Sequence, residues 1–165
     1  MRKVFSFPET VNEVSARLVA AGVVALTAAI LLTGQAWLVA VLAYGFVARV
    51  ASGPTLSPLG QLVTRVVTPR LPVREKIVAG PPKRFAQAIG ATLSLTAAVL
   101  HFGFGATTAA LVLVAMITVA ASLEAFAGYC LGCAIFGYLM RAGVIPEETC
   151  EACNNLNLRR DPVPA

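Results

Sequence analysis

The chain has 165 residues, of which 58% are hydrophobic and 13% charged, and its 13 Lys and Arg outweigh 8 Asp and Glu to give a net charge of +5. With a mean hydropathy of +0.79, this balance excludes an ordinary water-soluble domain and makes the bilayer the solvent. The basic residues flank apolar blocks and are not interleaved with aromatics, so they fit an anionic lipid surface and give no reason to expect nucleic acid as a partner.

Met1, Arg2 and Lys3 lead into the polar stretch 6–17. The apolar block 18–33 that follows has no small-residue cleavage site after it and reads as an uncleaved membrane anchor. It ends at Gly34, and Gln35 and Ala36 make a short link to Trp37, which predicts a tight helical hairpin. The second block, 37–51, reaches bilayer length once Gln35 and Arg49 sit at the two interfaces with the arginine snorkelling outward. Trp37 then acts as an interfacial anchor.

The connector 52–85 carries Arg65, Arg70, Arg74, Lys76, Lys83 and Arg84, with prolines at 54, 58, 69, 72, 81 and 82, and is too charged to span. Within it, Ser57 and Pro58 form an N-cap and first-turn pair. Leu59, Leu62, Val63, Val66 and Val67 follow at helical spacing, as expected of an amphipathic helix in the membrane interface. The third block, 86–104, contains the lone His101 and turns at Gly103 and Gly105. The fourth, 107–126, reaches Glu124 near its far end. The apolar stretch 134–140 is too short to cross again and reads as an interfacial or bundle-packed helix.

The two hairpin tips, 34–36 and 103–106, lack Lys and Arg, whereas the basic residues occupy the N-terminus, connector, C-terminal region and adjoining span ends. The positive-inside rule therefore puts both termini in the cytoplasm. The expectation is an all-α membrane protein with four transmembrane helices as two hairpins, an interfacial amphipathic helix, and a short cytoplasmic C-terminal cap bearing cysteines. Residues 1–143 form the membrane domain with its cytoplasmic connector, and 144–165 the cytoplasmic tail. Leu26-Thr27-Ala28-Ala29 and Leu95-Thr96-Ala97-Ala98 suggest a tandem repeat of hairpins, although such matches arise easily in Ala- and Leu-rich spans.

The strongest chemical signal is Cys130-Leu131-Gly132-Cys133 followed by Cys150-Glu151-Ala152-Cys153. Two such pairs have the spacing of a four-thiolate site for zinc or an iron–sulfur centre. The cytoplasmic placement argues against a structural disulfide. Alternatively, one pair is a working dithiol, since a cysteine at a helix start has its pKa lowered by the unpaired backbone N–H groups. Cys130 and Cys133, just ahead of 134–140, fit that description. So do Cys150 and Cys153, but Glu147 and Glu148 oppose thiolate formation there. Inert small residues near the membrane are the bland alternative for all four.

Among the charged residues, Arg49 and Glu124 are both expected near the inner interface, where an ion pair between them avoids a lone buried charge. A role for Glu124 as a proton or cation ligand is the alternative. His101 has no neighbouring second ligand and reads as an interfacial residue. No phosphate-cradling glycine loop, nucleophile elbow or carboxylate pair is present, which leaves conventional hydrolase or kinase chemistry unsupported.

The segments Pro82-Lys83-Arg84-Phe85-Ala86, Ser57-Pro58-Leu59 and Tyr129-Cys130-Leu131-Gly132-Cys133 together resemble a bacterial membrane family catalogued as domain of unknown function 4395, over about 12–138. The resemblance implies the bacterial plasma membrane and an association with thioredoxin-like and rhodanese-like proteins. It does not extend to Cys150 and Cys153. The leading functional expectation is a cytoplasm-facing site at Cys130 and Cys133 for thiol redox or sulfur relay with a soluble thiol or sulfur-transfer partner. The second is a membrane scaffold or small transporter whose Cys130, Cys133, Cys150 and Cys153 hold zinc. Catalysis is left open, as is assembly into a homo-oligomer.

Overall fold

The computed structural model describes residues 10–71 and 77–146. Helix α1 spans Glu13–Thr33 and starts ahead of its apolar block because Asn12 caps it, its Oδ1 accepting the Val14 N–H at 3.0 Å. It stops at Gly34, whose φ of 65° closes the helix with an N–H bond to the Ile30 carbonyl, the left-handed C-terminal turn that glycine adopts without a Cβ penalty. Helix α2, Ala36–Ser52, follows directly and ends at Gly53. Helix α4, Gly80–Phe102, begins with Pro81 and Pro82 in its first turn, where missing N–H groups cost nothing. Helix α5, Thr107–Ser122, widens into a π-helical turn at Leu123–Ala127 and is closed by Gly128 at φ 68°.

Between the two hairpins, helix α3 covers only Pro58–Leu62. Ser57 caps it as its sequence indicates, accepting the Gly60 N–H at 3.3 Å. The chain then passes through a π-helical turn at Val63–Val67 and a 3₁₀ turn at Thr68–Arg70 containing Pro69. This change of pitch breaks the regular stripe: Val63 is buried, whereas Leu62 and Val66 face outward. Leu59 packs on α1, where a Cβ at Gly22 would lie 2.7 Å from it.

A short two-stranded ladder, which no periodicity in the sequence announces, joins distant segments. Strand β1, Thr10–Asn12, pairs antiparallel with β2, Ile77–Ala79, with Thr10 opposite Ala79 and Asn12 opposite Ile77. The short ladder joins the entry of α1 to the entry of α4, and Ser15 Oγ meets Thr68 Oγ1 at 2.9 Å close by.

Among the described residues, three helical segments are long and apolar enough to cross a membrane: Glu13–Thr33, Gly80–Phe102 and Thr107–Ala127. Helix α2 is apolar but has 17 residues, about 25 Å at 1.5 Å per residue against a hydrocarbon core of about 30 Å. α4 packs against α2, α5 and α6, and α1 packs chiefly against α5. Ile30, Leu42, Ala97, Ala110 and Val114 fill the centre. The buried hydroxyls of Thr27 and Ser94 bond to the Val24 and Ala91 carbonyls of their own helices. Large apolar side chains such as Val99, Val112 and Val119 are exposed on the outer surface, the arrangement expected where lipid replaces water. The suggested repeat is not matched in packing, since Thr27 is buried and its counterpart Thr96 exposed.

Helix α6, Leu131–Arg141, packs on the bundle. A Cβ at Gly132 would lie 2.5 Å from Ala86 Cα, so glycine alone permits this approach to α4. Phe136 is buried against Phe85, with ring centroids 5.6 Å apart.

Candidate functional site

Five helix ends meet at one end of the bundle: the starts of α1, α4 and α6 and the ends of α2 and α5. The charged side chains Arg17, Arg49, Lys83 and Glu124 lie here. Arg17 of α1 donates from Nε and Nη2 to the Ala125 carbonyl at 3.2 and 3.1 Å, and from Nη2 to the Phe126 carbonyl at 3.1 Å. It thereby caps the widened last turn of α5, whose carbonyls have no helical partner ahead of them.

Glu124 in that turn forms an ion pair with Lys83 in the first turn of α4. The two side chains are only 11% and 15% exposed for lysine and glutamate respectively. The expected Arg49–Glu124 pair is therefore corrected. Arg49 Nε donates to Gln87 Oε1 at 2.9 Å, and its guanidinium lies 4.6 Å from the centre of the Phe46 ring. Glu124 acts on Arg49 through space without touching it. The reason is the extra length of α4: because the helix starts at Gly80, Lys83 belongs to the bundle and reaches the carboxylate first.

Cys130 occupies the N-cap of α6 in extended conformation, and its Sγ accepts the Cys133 N–H at 3.3 Å. Its carbonyl receives the first helical bond, from the Ala134 N–H at 3.0 Å. The thiol thus stands where a serine or aspartate usually caps a helix, facing unpaired N–H groups that favour negative charge. The Cys133 side chain adds a hydrogen bond that holds the Cys130 thiol below its ordinary range, and Lys83 and the Cys133 N–H act in the same direction. Burial and Glu124 oppose this shift. Cys133 is pushed upward, first by its hydrogen bond to Cys130 and then by burial. The two thiols are thus shifted in opposite directions, Cys130 downward and Cys133 upward, and both are in reduced form. Lys83 feels both sulfurs, so the ion pair and the dithiol form one electrostatic unit.

A cavity of about 290 Å³ runs from this unit into the bundle between α1, α4, α5 and α6. Cys130, Glu124 and Gln87 line its polar end, and Val23, Leu93 and Ile117 its apolar depth. A Cβ at Gly90, also in the wall, would lie 2.2 Å from Phe46, so this glycine admits the ring between α2 and α4.

The structure brings Cys130, Cys133 and Glu124 together and holds Arg49 on Gln87 and Phe46 instead. Cys150 and Cys153 lie outside the described residues, as does 147–165 of the tail. Among the described residues no three His, Cys, Asp or Glu side chains converge to hold a metal. His101 sits in the last turn of α4 at the opposite end, edge-on to Phe102. Lys83 and Gln87 are the site residues that sequence reasoning missed. Their i, i+4 spacing at the head of an apolar helix was the available signal.

The family described as Domain of unknown function (DUF4395) matches residues 11–141, most of the chain. No curated protein and no solved structure matches it.

Proposed function

We propose that this chain, which belongs to the DUF4395 family, is a four-span protein of the bacterial plasma membrane whose Cys130 and Cys133 exchange electrons or sulfur with a soluble thioredoxin-like or rhodanese-like partner. Both hairpin tips then face outward, and the thiol end of the bundle faces the cytoplasm. The observation that carries this reading is the placement of the dithiol at the α6 N-cap, where the Cys130 Sγ accepts the Cys133 N–H. In the exchange, the Cys130 thiolate attacks one sulfur of the partner's disulfide and the other sulfur leaves as thiolate. Cys133 then gives up its proton and attacks Cys130 Sγ, forming the Cys130–Cys133 disulfide and releasing the reduced partner. In sulfur relay, the Cys130 thiolate instead attacks the outer sulfur of a partner persulfide; the new S–S bond forms as the partner's breaks, and the partner cysteine leaves as thiolate.

The charge pattern supports the orientation, because the two tips contain no Lys or Arg. The test is equilibration of the purified protein in glutathione buffers of graded ratio, followed by peptide mapping and metal analysis. A reversible Cys130–Cys133 disulfide in metal-free protein is expected. Stoichiometric zinc that is lost on substitution of Cys150 or Cys153, with all four thiols protected until a chelator is added, would replace this reading with a zinc-bearing scaffold or transporter.

A further inference from the structure

We infer that the cavity beneath Cys130 binds a lipid-soluble quinone that oxidises the Cys130–Cys133 dithiol, a step that rests on the dithiol reading above. Three features point to this class of ligand. Three of the helices that wall the cavity, α1, α4 and α5, are long and apolar enough to cross a membrane, so its ligand arrives from the bilayer and is itself apolar. Met116 and Ile135 line it and are also exposed on the outer surface, giving a lateral opening between α5 and α6 through which an isoprenoid tail can leave. Its volume of about 290 Å³ lies near the lower bound of about 300 Å³ for small-molecule sites, enough for a ring-sized head group but not for its tail.

The polar end selects the ring further. Gln87 Oε1 already accepts from Arg49, so the group Gln87 offers to a ligand is its amide N–H₂ donor, which suits a carbonyl oxygen. Cys130 lines the same end. An apolar ring that carries carbonyls and lies against a dithiol is a two-electron acceptor in position. A fatty acyl chain would match the apolar wall but leave the second thiol without a role.

The step balances within the named reactants. The Cys130 thiolate adds to a ring carbon, forming a C–S bond and placing an electron pair on the ring carbonyl oxygens. Cys133 loses its proton and attacks Cys130 Sγ; the S–S bond forms as the C–S bond breaks, and the second pair of bonding electrons stays with the ring. The dithiol loses two electrons and two protons, and the quinone gains both to become the quinol. Glu124, held by Lys83 at the cavity's polar end, is placed to pass a proton from sulfur to oxygen. The partner exchange described above then runs in reverse, a soluble partner's dithiol reducing the Cys130–Cys133 disulfide for the next cycle.

The experiment uses the reduced full-length chain in lipid nanodiscs, without oxygen, and a fully ring-substituted benzoquinone with a ten-carbon tail, which cannot form a stable aryl thioether. Quinol is read by ultraviolet absorbance and the disulfide by peptide mapping. One quinol per chain and a Cys130–Cys133 disulfide are expected, with no quinol from Cys130→Ser. Filling the cavity with Ala120→Phe, or with Met116→Trp at its rim, should slow quinol formation at least tenfold in protein that elutes as a single symmetric species. A parallel reaction replaces the quinone with 2-hydroxyethyl disulfide, which needs no cavity. If the wild-type dithiol reacts with that disulfide but yields no quinol, the quinone site is wrong and the dithiol reading stands. Failure with both oxidants overturns both, and a folded cavity-filled variant that keeps the wild-type quinone rate overturns the site.

Discussion

Removing either partner of the Lys83–Glu124 pair should destabilise the protein by about 3–5 kcal/mol, the cost of leaving one charge uncompensated where neither side chain is more than 15% exposed. At about 1.4 kcal/mol per decade, 3 kcal/mol is more than a hundredfold shift in the folding equilibrium. Replacing both residues with methionine should recover most of the loss, because no charge is then left behind and the apolar stems fill similar volumes. The thermodynamic cycle should therefore return a coupling energy of about 2 kcal/mol or more. The corresponding cycle for Arg49 and Glu124 should return less than about 1 kcal/mol, since Arg49 keeps its bond to Gln87 and its contact with the Phe46 ring. Unfolding in mixed micelles of rising SDS fraction, followed by far-ultraviolet circular dichroism, gives all four free energies of each cycle. Strict additivity for Lys83 and Glu124, within about 0.5 kcal/mol, together with strong coupling for Arg49, would refute the assignment of the ion pair.

Alkylation of Cys130 should outpace that of Cys133 and should reach half its maximal rate below pH 9, the ordinary thiol value, because a lowered thiol ionises sooner as pH rises; Lys83→Met should move that midpoint upward, and mass-spectrometric rates at each cysteine read both effects. Gly90→Ala should cost about 1–3 kcal/mol in the same SDS titration, because the new Cβ would lie 2.2 Å from Phe46; Phe46→Leu in the same chain should return part of it, and an unchanged midpoint for Gly90→Ala would mean that α2 and α4 are not in this contact. Single cysteines placed at Gly34 and Gly105 in a cysteine-free background should react with an impermeant reagent from outside, and a reporter after Ala165 should be cytoplasmic; protection of both tips would overturn the orientation.

Three membrane-length helices were legible because a bilayer demands long apolar runs; the block beginning at 18 ended at Gly34 as expected, and the one beginning at 107 ended within a residue or two of 126. Their starts were less legible. Asn12 extends α1 into the polar stretch, and Pro81 and Pro82, which look like breakers, open α4. That second misjudgement carried into the site: with Lys83 assigned to the connector, Glu124 was left with Arg49 as its natural partner. Cys130 and Cys133 were visible through their spacing, and even the cap was foreseeable from the helix that follows them. The cavity was not, since it exists only where four helices fail to fill the space between them. The β1–β2 ladder was equally hidden, because three-residue strands carry no periodicity and their pairing is remote in sequence.

That ladder also sets an order of events during synthesis. β1 leaves the ribosome ahead of α1, but its partner Ile77–Ala79 follows only after the whole first hairpin and connector. Until then α1 and α2 have no α4 or α5 to cover their inner faces, and lipid must occupy that space. When β2 arrives, its pairing brings the head of α4 beside the head of α1, so the second hairpin enters already aligned with the first and displaces that lipid as it packs. The strand pair thus acts as a clasp that fixes where the later half begins. Severing it should leave each hairpin inserted while slowing the encounter that creates the thiol end of the bundle.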